Sequence, residues 1–130
     1  MSENLTPTAA SLTERVEGET TVVELHGELD LWTAPLLTAR LDTLTVGPCP
    51  DLVLDLCDVS FIDCRGLSIL CRARTRALAR QGRVRLVTNS PHFLRVLQLT
   101  GLSGVFELHR CLPDTLAAAP ERPAASVRVG

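Results

Sequence analysis

The sequence of 130 residues contains no lysine and no tyrosine, and aromatic side chains make up only 3% of it. Its aromatic residues are Trp32, Phe61, Phe93 and Phe106, so the core of a folded domain must consist mainly of leucine, valine and alanine. No apolar run approaches the length of a membrane-spanning helix, and the N-terminus lacks the pattern of a cleavable signal peptide. These absences predict a cytoplasmic protein without a membrane span.

The cysteines and the charge balance also exclude several classes of protein. Five cysteines form no C-x-x-C pair, and the cysteine and histidine spacings match no common zinc pattern, which predicts reduced thiols and no metal. A net charge of −2 gives no reason to expect nucleic acid or an anionic membrane as a partner. Because no Ser-His-Asp grouping, paired carboxylates or glycine-rich phosphate loop occurs, we expect neither an enzyme nor a cofactor.

The length fits about one domain with a single core. Residues 1–11 are polar and rich in small side chains, and residues 118–130 are rich in alanine and proline, so both segments are interpreted as tails. The folded domain is expected over residues 12–117.

Hydrophobic periodicity predicts an alternation of strands and helices. Two runs around Gly18 are typical of a hairpin, residues 27–30 break the pattern, and Thr33 is expected to cap the first helix. The predicted strands are 12–16, 20–25, 52–56, 84–87 and 105–108. The predicted helices are 33–46, 66–80 and 90–100, with a last helical turn over 113–119. This order, β-β-α-β-α-β-α-β with a possible terminal α, predicts an α/β fold in which the helices stack against one sheet.

Residues 63–66, Asp-Cys-Arg-Gly, lie where the buried strand 52–56 connects to the second helix. The positive field at a helix N-terminus favours an anion or a thiolate at Cys64, and Arg65 adds to this effect while Asp63 opposes it. Since most unpaired cysteines are inert, a small, half-buried packing residue is the favoured interpretation. A thiol-based redox sensor at Cys64 is the alternative.

The second predicted helix carries an arginine-rich face. Arg65, Ile69, Arg72 and Arg76 fall on one stripe at 100° per residue, with Arg80 nearby. A solvated basic face is the simplest interpretation, but an exposed Ile69 among arginines would be an interface anchor for an acidic partner surface. The stripe has no aromatic side chains for stacking on bases, which argues against nucleic acid.

The hydroxyl groups near this connection offer little alternative chemistry. Ser68 lies near the start of the second helix, where it is expected to be accessible but bonded to nearby backbone. Ser60, at the end of the strand, is expected to bond to backbone as well. No base is placed in sequence to activate either one.

Several segments together resemble the STAS domain of bacterial anti-sigma-factor antagonists. They are 27–30 (Gly-Glu-Leu-Asp), 51–56 (Asp-Leu-Val-Leu-Asp-Leu), 59–63 (Val-Ser-Phe-Ile-Asp) and 97–102 (Leu-Gln-Leu-Thr-Gly-Leu), followed by Phe106. The resemblance covers residues 14–117. It implies the STAS fold, a mixed central sheet of four to five strands flanked by helices on one side.

The resemblance implies a non-enzymatic interaction module. Members of the family bind an anti-sigma factor that is itself a serine-kinase-type ATPase, which frees a sigma factor, and phosphorylation at the second helix breaks that complex. Cys64 stands at the phosphoacceptor position, so this chain is expected to be constitutive or regulated by another route. The partner-binding residues carried over by position are Asp30, Asp63, Cys64 and Arg65, and the helix face adds Ser68, Ile69 and Arg72.

The departures from the family pattern are Cys64, Arg65 and Ser68, which stand in place of a hydroxyl, a small residue and a glycine. They affect regulation more than binding. A further alternative is a STAS-like accessory subunit of a lipid or anion transport system. The oligomeric state stays open, and a homodimer is compatible with the sequence.

Overall fold

A five-stranded mixed sheet organises the residues that the computed structural model describes, 11–112 and 116. The strands lie in the order β1-β2-β3-β4-β5, with three helices among the described residues. The strands are β1 (Ser11–Glu17), β2 (Thr20–Leu29), β3 (Asp51–Ile62), β4 (Arg83–Val87) and β5 (Glu107–His109). The helices are α1 (Ala34–Leu44), α2 (Cys64–Ala79) and α3 (Pro91–Leu99).

The sheet topology confirms the predicted α/β order. β1 and β2 form an antiparallel hairpin that turns at Gly18, whose φ of +66° suits a residue without a Cβ. β2, β3, β4 and β5 are then mutually parallel, and each connection between them carries one helix. The predicted helical turn at 113–119 lies outside the described residues, apart from Leu116.

Side-chain alternation along the central strand β3 divides the core between the two faces of the sheet. Leu52, Leu54 and Leu56 belong to the cluster that packs α1, α2 and α3 on one side, as predicted. Val53 belongs to a smaller cluster on the other side, together with Val22, Val87, Leu112 and Leu116. Both faces of the parallel part of the sheet are therefore covered, which explains why β3 is apolar at consecutive positions.

A buried arginine ties the strands together on the second face. Arg85 on β4 is 1% exposed, and its guanidinium donates a hydrogen bond of 2.9 Å to Asp51 on β3. Beside it, Arg83 donates hydrogen bonds to Glu107 on β5. Burial raises the pKa of Glu107, but the Arg83 contacts outweigh it and hold that pKa below its ordinary value.

The strands β2 and β3 are longer than the sequence pattern predicts. The pairs Gly27↔Val59 and Leu29↔Ile62 continue the ladder beyond the predicted ends, with register shifts on the way. The predicted strand ends, at residues 25 and 56, were therefore wrong, because backbone pairing tolerates the polar residues that follow them. α2 begins at Cys64 and not at Gly66, because Asp63 caps the helix.

Within the described part of the chain, no helix is both long enough and apolar enough to cross a membrane. The same residues contain no group of three His, Cys, Asp or Glu side chains that could hold a metal ion.

The first turn of α2 packs unusually close to β2 and β3 at Gly66. A Cβ at this position would lie 2.5 Å from the carbonyl oxygen of Leu29 and 2.6 Å from Cγ1 of Ile62. Distances this short require a shift of the neighbours, and a backbone carbonyl in a paired strand has little freedom to shift. Only glycine permits this approach.

We predict that Gly66→Ala lowers the free energy of unfolding by about 2 kcal/mol. Helix propensity alone would favour alanine by about 1 kcal/mol, so a net loss must come from the clash with Leu29. Urea unfolding followed by circular dichroism measures the change. Gly104→Ala is the matched control, because a Cβ there meets no heavy atom within 4 Å. Equal stability of the two variants would contradict the packing argument.

Candidate protein-interaction site

The connection that follows β2 and the one that follows β3 meet at one edge of the sheet. The carboxyl ends of parallel strands lie at the same edge, which is where α/β proteins commonly place their binding residues. Here the backbone N–H of Asp63 donates to the carbonyl of Leu29 over 3.2 Å. The sequence assigned Asp30 and Asp63 to one surface: Asp63 donates this bond, and Asp30 directly follows its acceptor.

The β2–α1 turn is fixed by hydrogen bonds around Asp30. Oδ1 of Asp30 accepts from the backbone N–H groups of Trp32 (3.0 Å) and Thr33 (3.1 Å). Thr33 is only 7% exposed, and its hydroxyl donates to the carbonyl of Glu28 over 2.8 Å. Thr33 occupies the predicted cap position, but its side chain makes no cap hydrogen bond to α1. Thr33 is therefore the N-cap residue, as predicted, and its hydroxyl secures the preceding turn.

The start of α2 presents Cys64 and Arg65 to solvent. Asp63 adopts an extended backbone conformation, and its Oδ1 accepts from the N–H of Gly66 over 3.0 Å, so Asp63 is the N-cap. Cys64, the first helical residue, is exposed, and so is Arg65. The interpretation of Cys64 as a half-buried packing residue was therefore wrong.

Both serines near the site bond to backbone, as expected. Ser68 Oγ donates to the carbonyl of Cys64 over 3.0 Å, and Ser60 Oγ donates to the carbonyl of Gly27 over 3.3 Å. Ser68 is also exposed, one helical turn after Cys64.

The prediction that Ile69 is an exposed anchor was wrong. Ile69 is 4% exposed and belongs to the main core cluster, together with Leu70 and Ala73. α2 packs against the sheet and also against α1. Its buried face is therefore wider than that of a helix that packs against a sheet alone. Leu78, near the end of the same helix, is 48% exposed.

The arginine stripe is largely engaged within the chain. Arg72 donates to both carboxylate oxygens of Asp42 on α1, at 2.9 and 2.8 Å. Arg76 donates to the Thr45 hydroxyl (2.9 Å) and to the Asp42 carbonyl (3.0 Å). The hydrogen bonds from Arg72 and the charges of both arginines hold the pKa of Asp42 below its ordinary value. Arg65 has no such contact within the described residues. It is exposed and adjacent to Cys64, so its guanidinium can meet a partner.

Several apolar residues near these connections are exposed, which the sequence did not predict. Trp32 is 87% exposed, and three large aliphatic or aromatic side chains around the same edge are more than half exposed, namely Leu31, Leu36 and Phe61. One signal could have found the first of them: the only tryptophan of an aromatic-poor chain follows a turn-forming aspartate.

Comparison with known proteins identifies the family of this domain. The family model described as "Mlab, STAS domain" matches residues 12–112. The chain therefore belongs to the STAS-domain family, as the sequence motifs and the mixed five-stranded sheet indicated.

Proteins similar to this chain include anti-sigma factor antagonists. An anti-sigma-B factor antagonist of Listeria monocytogenes is 33% identical over 82 residues, which cover 63% of this chain and 72% of that protein. An anti-sigma-B factor antagonist of Bacillus subtilis is 29% identical over 86 residues, covering 66% and 78%. A crystal structure of an anti-sigma factor antagonist from Mycobacterium paratuberculosis superposes with a TM-score of 0.78 at 31% identity, covering 86% of this chain and 95% of that one.

We predict that Asp63→Ala lowers the free energy of unfolding by about 1 kcal/mol, because the N–H of Gly66 loses its cap. Asp63→Asn keeps a side-chain oxygen in place and should retain most of that stability. Thermal and urea unfolding of both variants measure the difference. Equal losses in the two variants would show that the charge of Asp63 matters more than its capping bond.

We predict that Asp42→Asn makes the free energy of unfolding less dependent on pH in the acid range. Because the pKa of Asp42 is lowered in the folded state, its contribution is complete above the ordinary value of 3.8 and is lost as pH falls through the folded value. The advantage of the natural chain over the variant, at most about 1 kcal/mol near neutral pH, should disappear in acid. Urea unfolding from about pH 6 to about pH 2 tests this. An advantage that persists at the lowest pH would contradict it.

Proposed function

We propose that this chain is an anti-sigma-factor antagonist, a non-enzymatic protein that binds an anti-sigma factor of the serine-kinase type and thereby frees a sigma factor. Its relatives named as anti-sigma-B factor antagonists support this role. The observation that carries the proposal is the junction of the two connections at Asp63 and Leu29, which brings Asp30, Asp63, Cys64 and Arg65 to one edge of the sheet.

The proposed binding surface has mixed charge. Asp30 and Asp63 each use one carboxylate oxygen within the chain, which leaves the other available to a partner. Arg65 and the exposed Ser68 lie on the α2 side. Arg72 is half-exposed but held by Asp42, so we place it at the margin of the surface. The buried Ile69 is not part of it.

Regulation differs from a phosphorylation switch at the start of α2. A serine kinase transfers phosphate to a hydroxyl oxygen, and Cys64 offers a thiol at that position. Phosphorylation adds a charge of about −2 to a contact surface, and this chain lacks the acceptor for it there. The complex with the anti-sigma factor is therefore constitutive with respect to that kinase activity.

Solvent exposure of Cys64 favours a second candidate, regulation by thiol chemistry. A mixed disulfide with glutathione would place a bulky, negatively charged group where a phosphate would otherwise stand. In that case, glutathione disulfide would abolish partner binding, a reductant would restore it, and Cys64→Ala would be insensitive. Cys57→Ala is the matched control, because Cys57 is also an exposed cysteine. Partial desolvation of the Cys57 thiol raises its pKa to about 11.

We predict that Cys64→Ser restores a phosphorylation switch. With a purified serine-kinase-type anti-sigma factor and ATP, the variant should gain one phosphate and bind at least about tenfold more weakly, a change of ~1.4 kcal/mol. The natural chain should bind equally well with ATP or with a non-hydrolysable analogue. Mass spectrometry and calorimetry measure the two effects.

Cys64→Ala controls for removal of the thiol and should behave like the natural chain. Stoichiometric phosphate on the natural chain that is lost in Ser68→Ala would contradict a constitutive complex, since Ser68 is the exposed hydroxyl one turn away.

A further inference from the structure

The β2–α1 turn displays a compact set of apolar side chains. Trp32 is 87% exposed, Leu31 is 56% exposed and Leu36, in the first turn of α1, is 61% exposed. We call these three residues the Trp32 patch. Large apolar side chains clustered on a surface commonly mark an interaction site, and tryptophan is among the residues most enriched at the centres of interfaces.

Exposure of Trp32 is imposed by an ordered turn. The N–H of Trp32 itself donates to Asp30 Oδ1, and Thr33 is buried beneath the turn with its hydroxyl bonded to the Glu28 carbonyl. A side chain held outward on a fixed backbone loses little conformational freedom on binding, because tryptophan has only two side-chain torsions. The turn is thus suited to insert Trp32 into a pocket.

The Trp32 patch is continuous with the proposed binding surface. Trp32 lies three positions after Leu29, and three steps along the chain span at most about 11 Å. Leu29 bonds to the N–H of Asp63 and lies against Gly66. The patch and the start of α2 therefore belong to one rigid unit, and a partner that contacts Cys64 and Arg65 can also reach Trp32.

The chemistry around the patch selects among its potential occupants. Glu28, Asp30 and Asp63 place three carboxylates at this edge against the single cation of Arg65, and the chain as a whole carries a net charge of −2. An anionic membrane would be repelled by this edge. Three side chains also supply much less than the roughly 800 Å² per partner of a stable interface, and a second copy would bring the same carboxylates together. These properties fit a protein partner that supplies more contact area than the patch alone.

We infer that Trp32 is the apolar anchor of the complex with the anti-sigma factor, and that it enters an apolar pocket edged by basic side chains on that partner. This inference rests on the proposed function. It assigns to the β2–α1 turn a contact separate from the position of Cys64, so the partner recognises this chain at two places.

The test uses the full chain and a purified serine-kinase-type anti-sigma factor that binds it. Trp32→Ala should weaken binding at least about thirtyfold, whereas Trp32→Phe, which retains an aromatic ring, should lose less than about tenfold. Leu99→Ala is the matched control and should change the affinity less than about twofold. Leu99 is 77% exposed at the end of α3, which lies toward the opposite edge of the sheet. Thermal unfolding checks that all the variants remain folded.

A second readout observes Trp32 directly. Because the chain has one tryptophan, replacement by 5-fluorotryptophan gives a single ¹⁹F resonance from this chain even when the partner contains tryptophan. Binding should shift this resonance and remove its sensitivity to solvent isotope. An unchanged resonance in a saturated complex would overturn the inference.

The outcomes separate the inference from the proposed function. If no anti-sigma factor of this class binds the natural chain, the proposed function itself fails, and the inference fails with it. If the natural chain binds and Trp32→Ala binds equally well, only the inference fails. Self-association that Trp32→Ala abolishes, or Trp32-dependent binding to phosphatidylserine vesicles, would also overturn it by giving the patch a different occupant.

Discussion

The contact between Gly66 and Leu29 is the constraint on which the geometry of the site depends. Because Gly66 has no Cβ, the first turn of α2 can lie directly on the backbone of β2. That approach allows the N–H of Asp63 to reach the Leu29 carbonyl and sets the position from which Asp63 caps α2. A buried residue that offers no side chain to a partner thus fixes how the exposed Cys64 and the β2–α1 turn are placed relative to each other.

Charged side chains extend this constraint to α1. The turn before α1 is held by Asp30 and Thr33, while Arg72 and Arg76 bind Asp42 near its end. An exposed ion pair alone adds at most about 1 kcal/mol, so these contacts matter chiefly for orientation. α1 is fastened at both ends to the elements that carry the proposed surface. An arginine stripe that resembles a binding face in the sequence is mostly part of the scaffold.

The sequence predicted the order and type of the elements because hydrophobic periodicity and turn residues report local structure directly. It could not predict features set by contacts distant in sequence. β3 extends to Ile62 because β2 pairs with it, although Asp58 and Ser60 resemble loop residues. Ile69 is buried in a core cluster to which α1 also contributes, and nothing within α2 reveals that neighbour. The exposure of Trp32 likewise depends on the hydrogen bonds of its turn, which composition does not report.

Cys64 gives the start of α2 the chemistry of an exposed thiol, and the construction of the site does not depend on that side chain. The N-cap at Asp63, the glycine at Gly66 and the Ser68 bond to the Cys64 carbonyl depend on backbone position and on other side chains. Cysteine at the first helical position requires no rearrangement of any of them, because its side chain points to solvent. Under the proposed function, recognition and regulation are therefore separable in this domain: shape and the Trp32 patch govern recognition, and a single exposed atom at residue 64 governs whether a kinase can reverse it.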